Sequence, residues 1–311
     1  MHEITGQRVW VAGHRGMVGS AVARALVARG DVEVVGWTSD ELDLRDRSAT
    51  MDAALEARPD VVILSAARVG GILANTREPV EFLADNLRIQ TNVMEAAHRA
   101  GVPRLLFLAS SCIYPRDAAQ PMVPELLFTG PLEPTNEAYA MAKISGIALV
   151  QAYRRQHGLS WISCLPTNVY GPGDNFDPES SHVLPALIRR LHAAVLARSE
   201  YVTIWGSGTP RRELLHVDDL ASACLRLLEA YDEPTPINVG TGEDLTIAEI
   251  VAVVAAVVGY RGSIVWDEEK PDGMPRKLLD VAPMKELGWG PQVDLVDGVR
   301  GAWKWYRERV E

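Results

Sequence analysis

The chain has 311 residues, 47% of them hydrophobic and 23% charged, with a formal net charge of −10. That length holds one large α/β domain, or a large one with a smaller companion. The acidic balance excludes nonspecific nucleic-acid binding and leaves only local basic pockets, for which Arg189-Arg190 and Arg211-Arg212 are candidates.

The start, Met1 to Gly6, lacks the apolar core of a signal peptide, and the longest apolar run, Ile250 to Val258, is too short to span a bilayer. Cys112, Cys164 and Cys224 lie far apart with no Cys-x-x-Cys pair, which excludes a zinc ribbon and fits a reducing compartment. The expectation is a cytoplasmic protein without membrane or metal.

In chain order, Arg8 to Ala12 is β-prone and leads into Gly13-His14-Arg15-Gly16-Met17-Val18-Gly19, then a helical pattern through Ala28. Strand, glycine-rich turn and helix form the context of a dinucleotide fingerprint: the glycines let the backbone approach a pyrophosphate at the helix N-terminus. Glu33 to Trp37 reads as a second strand, Ala49 to Glu56 as a helix, and Val61 to Ser65 as a third strand. The small residues Ala66 to Gly71 suit either close passage of a cofactor or simple packing. Pro79 to Ala100 reads as a long helix with Asn86 and Asn92 on its polar side.

The next stretch carries the chemistry. Leu105 to Ala109 is an apolar run of the kind that forms a buried parallel strand, so Ser110 falls at a strand's carboxyl end, where open α/β sheets place ligands. Tyr139 and Lys143 lie one turn apart on a helix running to Arg155, hence on one face. A lysine ammonium beside a phenol favours the phenolate, so the tyrosine could exchange a proton near neutral pH. Any Tyr-x-x-x-Lys can be a surface pair; the glycine loop upstream favours a carbonyl–alcohol redox device.

Trp161 to Leu165 is a fifth strand, ending in Pro166-Thr167-Asn168-Val169. Beyond Gly171 the alternation turns irregular. His182 to Leu196 is an amphipathic helix, Val202 to Trp205 a strand, and Val217-Asp218-Asp219 opens a helix with the aspartates placed to cap it. Ile237 to Gly240 looks like a strand returning to the first sheet. Thr246 N-caps a helix to Val258, and Val296 to Glu308 closes the chain. The predicted fold is a Rossmann-like α/β, doubly wound parallel sheet over residues 1–170, with a smaller C-terminal substrate-binding lobe over 171–311.

With these residues in view, the sequence resembles the extended short-chain dehydrogenase/reductases that act on nucleotide sugars. Ser110 to Pro115, Gly130 to Asn136, Pro166 to Asn168, Asp174 to Phe176, Ser181 to Leu187 and Trp205 to Pro210 are similar to the family that epimerises and reduces GDP-4-keto-6-deoxy-mannose to GDP-L-fucose. The resemblance implies Ser110, Tyr139 and Lys143 as a reductase triad and Cys112 and His182 as an epimerisation pair, base and acid respectively. It implies NADP(H) along the glycine loop, with Ser39 and Asp40 near the ribose and Asp43 and Leu44 at the adenine end. Leu108, Ala109, Ser110, Ser111, Lys143, Pro166 to Val169 and His182 would border the rest of the cofactor. Arg190, Trp205, Arg212 and Asp272 would hold the GDP-sugar; an arginine fork suits a diphosphate.

It further implies a homodimer through the helices Pro79–Ala100 and Tyr139–Arg155, with Leu87, Val93, Ala96, Ile147 and Val150 serving both core and interface. Cys112 could instead be a small buried hydrophobe, His182 a residue of the helix start, and Cys164 and Cys224 read as core. The family pattern has an arginine where this chain has Ser39, so the expectation is NADPH with discrimination against NADH weakened by roughly 1–2 kcal/mol. Competing readings are a 4-epimerase or 4,6-dehydratase, an enzyme of a related GDP-sugar such as a heptose, and a non-catalytic nucleotide sensor on the same fold.

Overall fold

A computed structural model describes residues 3–270 and 272–310; Met1 and His2, part of the start without an apolar core, lie outside them. The first half runs β1 (Arg8–Ala12), α1 (Met17–Arg29), β2 (Glu33–Val35), α2 (Arg47–Ala57), β3 (Val61–Leu64), α3 (Ile72–Arg77), α4 (Pro79–Arg99), β4 (Arg104–Leu108), α5 (Glu137–His157), β5 (Ser160–Pro166) and β6 (Asn168–Tyr170). The second runs α6 (Val183–Leu196), β7 (Tyr201–Trp205), β8 (Arg211–Arg212), β9 (Leu214–His216), α7 (Val217–Ala230), β10 (Ile237–Val239), β11 (Leu245–Thr246), α8 (Ile247–Val258), β12 (Ser263–Asp267), β13 (Arg276–Lys277), α9 (Ala282–Glu286) and α10 (Leu295–Val310).

Six strands form one parallel sheet in the order β10-β5-β4-β3-β1-β2. Its strands are apolar on both faces because helices cover both. The period of two is visible in which core each residue enters. Trp10, Val62, Leu64, Leu105, Phe107 and Trp161 point to one face, towards α4 and α5. Val9, Val11, Val61, Ile63, Leu106 and Ile162 point to the other, towards α1 and α7. Each such side chain contributes about 1.5–3 kcal/mol on burial. The return strand near 237–240 is β10, beside β5, so the large sheet takes its sixth strand from the second half of the sequence.

The second half also supplies α7 and the segment around Leu279 and Val281 to the cores against that sheet. A third core, of α6, α8 and α10 with Leu184, Leu191, Val254 and Val299, fills the smaller lobe. Thr246 caps α8 as the sequence suggests, in a reciprocal pair with Glu249.

Three local readings change. The helix α3 forms over Ile72–Arg77, a stretch between Gly71 and Pro79 to which the sequence assigned no element. Asn86 and Asn92 are buried rather than on a polar face: the Asn86 amide donates to the Arg68 carbonyl at 3.0 Å and that of Asn92 to the Leu44 carbonyl at 2.9 Å. They satisfy loop backbone that enters the core, a tertiary demand invisible to periodicity. The cap of α7 is His216, whose ring accepts the Asp218 N–H at 3.3 Å. Asp219 is drawn away, accepting N–H groups of Gln292 and Val293 at 2.9 and 3.1 Å.

Candidate active site

The sheet's carboxyl edge carries the glycine loop. Gly13 has φ +91, and a Cβ there would sit 2.7 Å from the Ala66 backbone nitrogen; a Cβ on Gly19 would meet the Gly13 carbonyl at 2.1 Å. No larger residue fits, so the turn stays thin. Gly16 N-caps α1 with no side-chain bond, which leaves the first amides of a long helix open to an anion. The buried His14 Nδ1 has no hydrogen-bond partner. Gly173, in the loop after β6, lies over Met17. A thin cradle, bare helix amides and Arg15 at the turn fit a dinucleotide pyrophosphate.

At the rim, Ser39 and Asp40 are exposed in a turn. The acid fixed beside the loop is Glu41, which accepts the Thr38 N–H at 2.8 Å. That backbone bond and then the Thr38 hydroxyl hold its carboxyl below the usual range against burial, with smaller help from the Arg15 and His14 charges. The sequence drew attention to Asp40; a turn that folds Glu41 back onto Thr38 left no periodic signal. Asp43 is occupied by Arg45 at 2.8 Å, and Leu44 is fixed through its carbonyl by Asn92.

Deeper in, Ser110 follows β4 and opens a one-turn helix over Ser111–Ile113, its Oγ accepting the Cys112 N–H at 3.2 Å. Leu108, Ala109 and Ser111 at the end of β4 adjoin the end of β5, where Pro166 leads to Thr167, Asn168 and Val169. Asn168 and Thr167 are tied to the Glu213 carbonyl at 2.8 and 3.4 Å. Lys143, 3% exposed, donates to the Leu108 carbonyl at 2.8 Å and stands 5.9 Å from the Tyr139 ring centre. Burial pulls its pKa down to about 8.

The expectation that Lys143 favours the Tyr139 phenolate is not met. Burial and then the Cys112 charge push the phenol well above its ordinary value, and only the Ser110 hydroxyl opposes them. Lys143 is not among the groups that set the phenol: desolvation dominates, and the neighbouring charge acting on it is that of Cys112. Tyr139 is therefore a neutral proton donor at neutral pH.

Cys112 lies between two sets of groups. Burial pushes its thiol up, but Lys277, the Ser110 hydroxyl and Arg212 outweigh that, and the net pKa is lowered. Lys277 Nζ is 3.4 Å from Cys112 Sγ. His182 is the N-cap residue of α6. Although His182 is exposed at the surface, the protein atoms around its ring and then the Lys277 charge pull its pKa below the ordinary value. Sequence reading missed Lys277; the only signal was a basic pair, Arg276-Lys277, that resembles solvated surface charge.

The four substrate candidates fall around β7, β8 and the turn between them. Arg190 donates to the Thr203 carbonyl at 2.8 Å, which fixes it to β7. Trp205 ends β7 half-exposed, with Lys270 Nζ 5.8 Å from its ring centre. Asp272 accepts the Ser207 N–H at 2.7 Å and hydroxyl at 2.8 Å. Arg212 donates to the Met274 carbonyl at 2.7 Å and feels the charges of both Cys112 and Asp272. Arg211, by contrast, is taken by Asp244 at 2.7 Å. Cys164 and Cys224 are fully buried, as core.

Of the proposed interface residues, Val93, Ala96, Ile147 and Val150 are buried within this chain's own core. They cannot also cover a partner; Leu87 alone of the five is half-buried.

A parallel Rossmann-type sheet with a dinucleotide cradle beside Ser, Tyr and Lys defines a nicotinamide-dependent enzyme of sugar-like carbonyl and alcohol chemistry. The chain belongs to the NAD dependent epimerase/dehydratase family, whose pattern it matches over residues 9–240. It is 51% identical to GDP-L-fucose synthase of Escherichia coli (strain K12), over 98% of each chain. Among solved structures, it is similar to a GDP-6-OMe-4-keto-L-xylo-heptose reductase from C. jejuni, with TM-score 0.93 and 32% identity over 99% of each chain. It is also similar to a GDP-L-fucose synthetase from Naegleria fowleri bound to NADP, with TM-score 0.90 and 27% identity, covering 99% of this chain and 96% of that one.

Proposed function

We propose that the protein is a 3,5-epimerase and 4-reductase that converts GDP-4-keto-6-deoxy-D-mannose to GDP-L-fucose with NADPH, as a cytoplasmic homodimer. The observation that carries this reading is the placing of Cys112. Its thiol meets Ser110 and Tyr139 on the sheet side and Lys277 and Arg212 on the lobe side, so acid–base and redox groups share one cleft. The 51% identical bacterial relative supports the substrate.

A 4-keto group acidifies the hydrogens on sugar carbons 3 and 5. Cys112, as thiolate, takes the proton, the pair left behind becomes the enolate, and His182, as imidazolium, returns a proton on the opposite face; proton exchange with water restores thiolate and imidazolium before the second inversion. A nicotinamide cofactor held along the Gly13–Gly19 loop would supply the hydride for carbon 4. Tyr139 gives its proton to the oxygen there, and Ser110 hydrogen-bonds that oxygen beforehand. Lys143 holds the β4 end through Leu108 and would also hold the cofactor's ribose. Arg190, Trp205, Arg212 and Asp272 hold the GDP-sugar.

Among the described residues no helix is long and apolar enough to cross a membrane. The dimer is proposed through the outer faces of α4 and α5, which pack side by side. A monomer in sedimentation at micromolar concentration sinks that part. The function is tested by incubating the protein with GDP-4-keto-6-deoxy-D-mannose and NADPH and identifying the product. GDP-L-fucose supports it. A product reduced without inversion, or turnover only of a GDP-heptose, assigns the chain to the chemistry of its heptose-reductase neighbour.

A further inference from the structure

We propose that Lys277 is a positioning residue of the epimerisation half of the site: its ammonium, delivered by β13 to 3.4 Å from the Cys112 sulfur, holds that sulfur as the thiolate. This rests on the reading of Cys112 as the base.

The placement is built rather than incidental. β13 pairs in parallel with β8, so that Arg276 lies beside Arg211 and Lys277 beside Arg212. Successive residues of a strand face opposite ways. Arg276 and Arg211 both turn to Asp244, whose side chain is 4% exposed. Lys277 turns the other way, to the cleft.

The residues that follow are clamped from several sides. The Leu278 N–H donates to Gln120 Oε1 at 2.8 Å and the Leu279 N–H to the buried Glu213 carboxylate at 3.0 Å. The Met122 N–H donates to the Leu278 carbonyl at 2.8 Å. Lys277 therefore projects from fixed backbone.

Charge completes the argument. Among the described residues Lys277 makes no ion pair with a carboxylate, whereas its strand neighbours Arg211 and Arg276 do. A half-buried ammonium without an anion is costly, and a thiolate at hydrogen-bond distance relieves that cost while gaining a charge-assisted bond. The charged and titratable groups facing the sulfur are Lys277 from β13, Arg212 from β8, Tyr139 from α5 and the Ser110 hydroxyl; His182, at the start of α6, feels Lys277 too. Among the described residues the charges named for the thiol are two cations, Lys277 and Arg212, and Lys277 acts on His182 as well, so one lysine bears on both members of the pair. It favours the thiolate and, by lowering the imidazolium's pKa, makes protonated His182 the readier proton donor.

The experiment uses the full chain as wild type, Lys277→Met and Lys277→Arg. The rate of iodoacetamide alkylation of Cys112 is followed by peptide mass spectrometry from about pH 5.5 to about pH 9.5, a range spanning thiol ionisation. The buried Cys164 and Cys224 report unfolding, because they become labelled only when the core opens. Lys277→Met should slow alkylation roughly ten-fold at neutral pH, with the gap closing at high pH, and Lys277→Arg should retain most of the wild-type rate. If Lys277→Met labels Cys164, a Lys277→Gln variant makes the same comparison. An alkylation curve unchanged by loss of the ammonium overturns the proposal.

Solvent-deuterium exchange at sugar carbons 3 and 5, measured on the same variants, separates the two readings. Its pH profile should move to higher pH with the alkylation curve. Alkylation that shifts while exchange keeps its profile leaves the Lys277–Cys112 pair standing and removes Cys112 as the base. Exchange abolished by Cys112→Ala, beside an unmoved alkylation curve, leaves the base standing and removes Lys277.

Discussion

The floor of the cleft and its rim treat charge in opposite ways. On the floor, at the ends of β4 and β5, burial suppresses it: the Tyr139 phenol is pushed up and Lys143 is pulled down to about 8. At the rim and on the lobe, charges are exposed or exchanged between partners, as in Glu41 near Arg15 or Asp244 between two arginines. Cys112 stands at the boundary, desolvated by the floor and charged by cations from the lobe. The lesson is that the sheet supplies neutral proton donors and the lobe supplies the field. Substitutions should therefore lose effect in going from floor to rim.

The largest effects belong to the floor. Tyr139→Phe removes the proton donor and should lower 4-reduction by about 10²–10⁴-fold. Exchange of the hydrogens on carbons 3 and 5 with deuterium should persist. Cys112→Ser should do the reverse, abolishing exchange and sparing some reduction. Cofactor oxidation followed by absorbance, and deuterium followed by NMR, read the two separately. If Cys112→Ser exchanges both hydrogens at the normal rate, the two halves are not divided as described.

A buried acid sharpens the comparison. Asp174, in the loop after β6, is 7% exposed, and burial raises its pKa to about 7, opposed only by the Asn175 N–H. Its Oδ2 has no hydrogen-bond partner. A folded-state pKa above the unfolded value means that the folded protein binds the extra proton. Stability is then greatest below the unfolded pKa near 3.8 and falls as pH rises to about 7. Asp174→Asn removes this loss and should stabilise the protein above pH 7 by about 2 kcal/mol, an order-of-magnitude figure. Urea unfolding at about pH 5 and about pH 8 checks it, because the variant should show a flatter dependence over that interval.

Much of this was legible in the sequence because local rules and the tertiary fold agree there. The glycine loop lies between a strand and a helix, and the alternation of apolar runs gave every strand of the large sheet except its precise limits, including the return at Ile237. What stayed illegible depends on contacts between distant segments. Lys277 reaches Cys112 across 165 positions of sequence. Asn86 and Asn92 read as polar-face residues until the loops they satisfy are seen, and Asp219 left the cap of α7 for a partner near Gln292. The phenol's pKa failed for a related reason: residue spacing places Lys143 near Tyr139 but says nothing of desolvation.

The smallest effect lies at the rim, in the choice of cofactor. A 2′-phosphate calls for a cation beyond the second strand, and a free 2′-hydroxyl for a carboxylate. Ser39 offers one neutral hydrogen bond, and Arg15 sits on the other side of the site. Glu41, held by Thr38 and close enough to Arg15 to feel its charge, weakens that cation and would offer a carboxylate to a ribose bound along this rim. All of these groups are exposed to solvent, so screening keeps each contribution small. The expectation is an NADPH preference of modest size. Ser39→Arg should lower the KM for NADPH by about five- to ten-fold and leave that for NADH nearly unchanged. Arg15→Ala should raise the NADPH value most. Glu41→Gln should favour NADPH further, since it removes the negative charge beside the 2′ position. The three variants and the wild type, assayed with both cofactors, read the rim directly. A wild-type kcat/KM favouring NADH by about ten-fold or more would reverse the assignment and make Glu41 the group that selects the ribose.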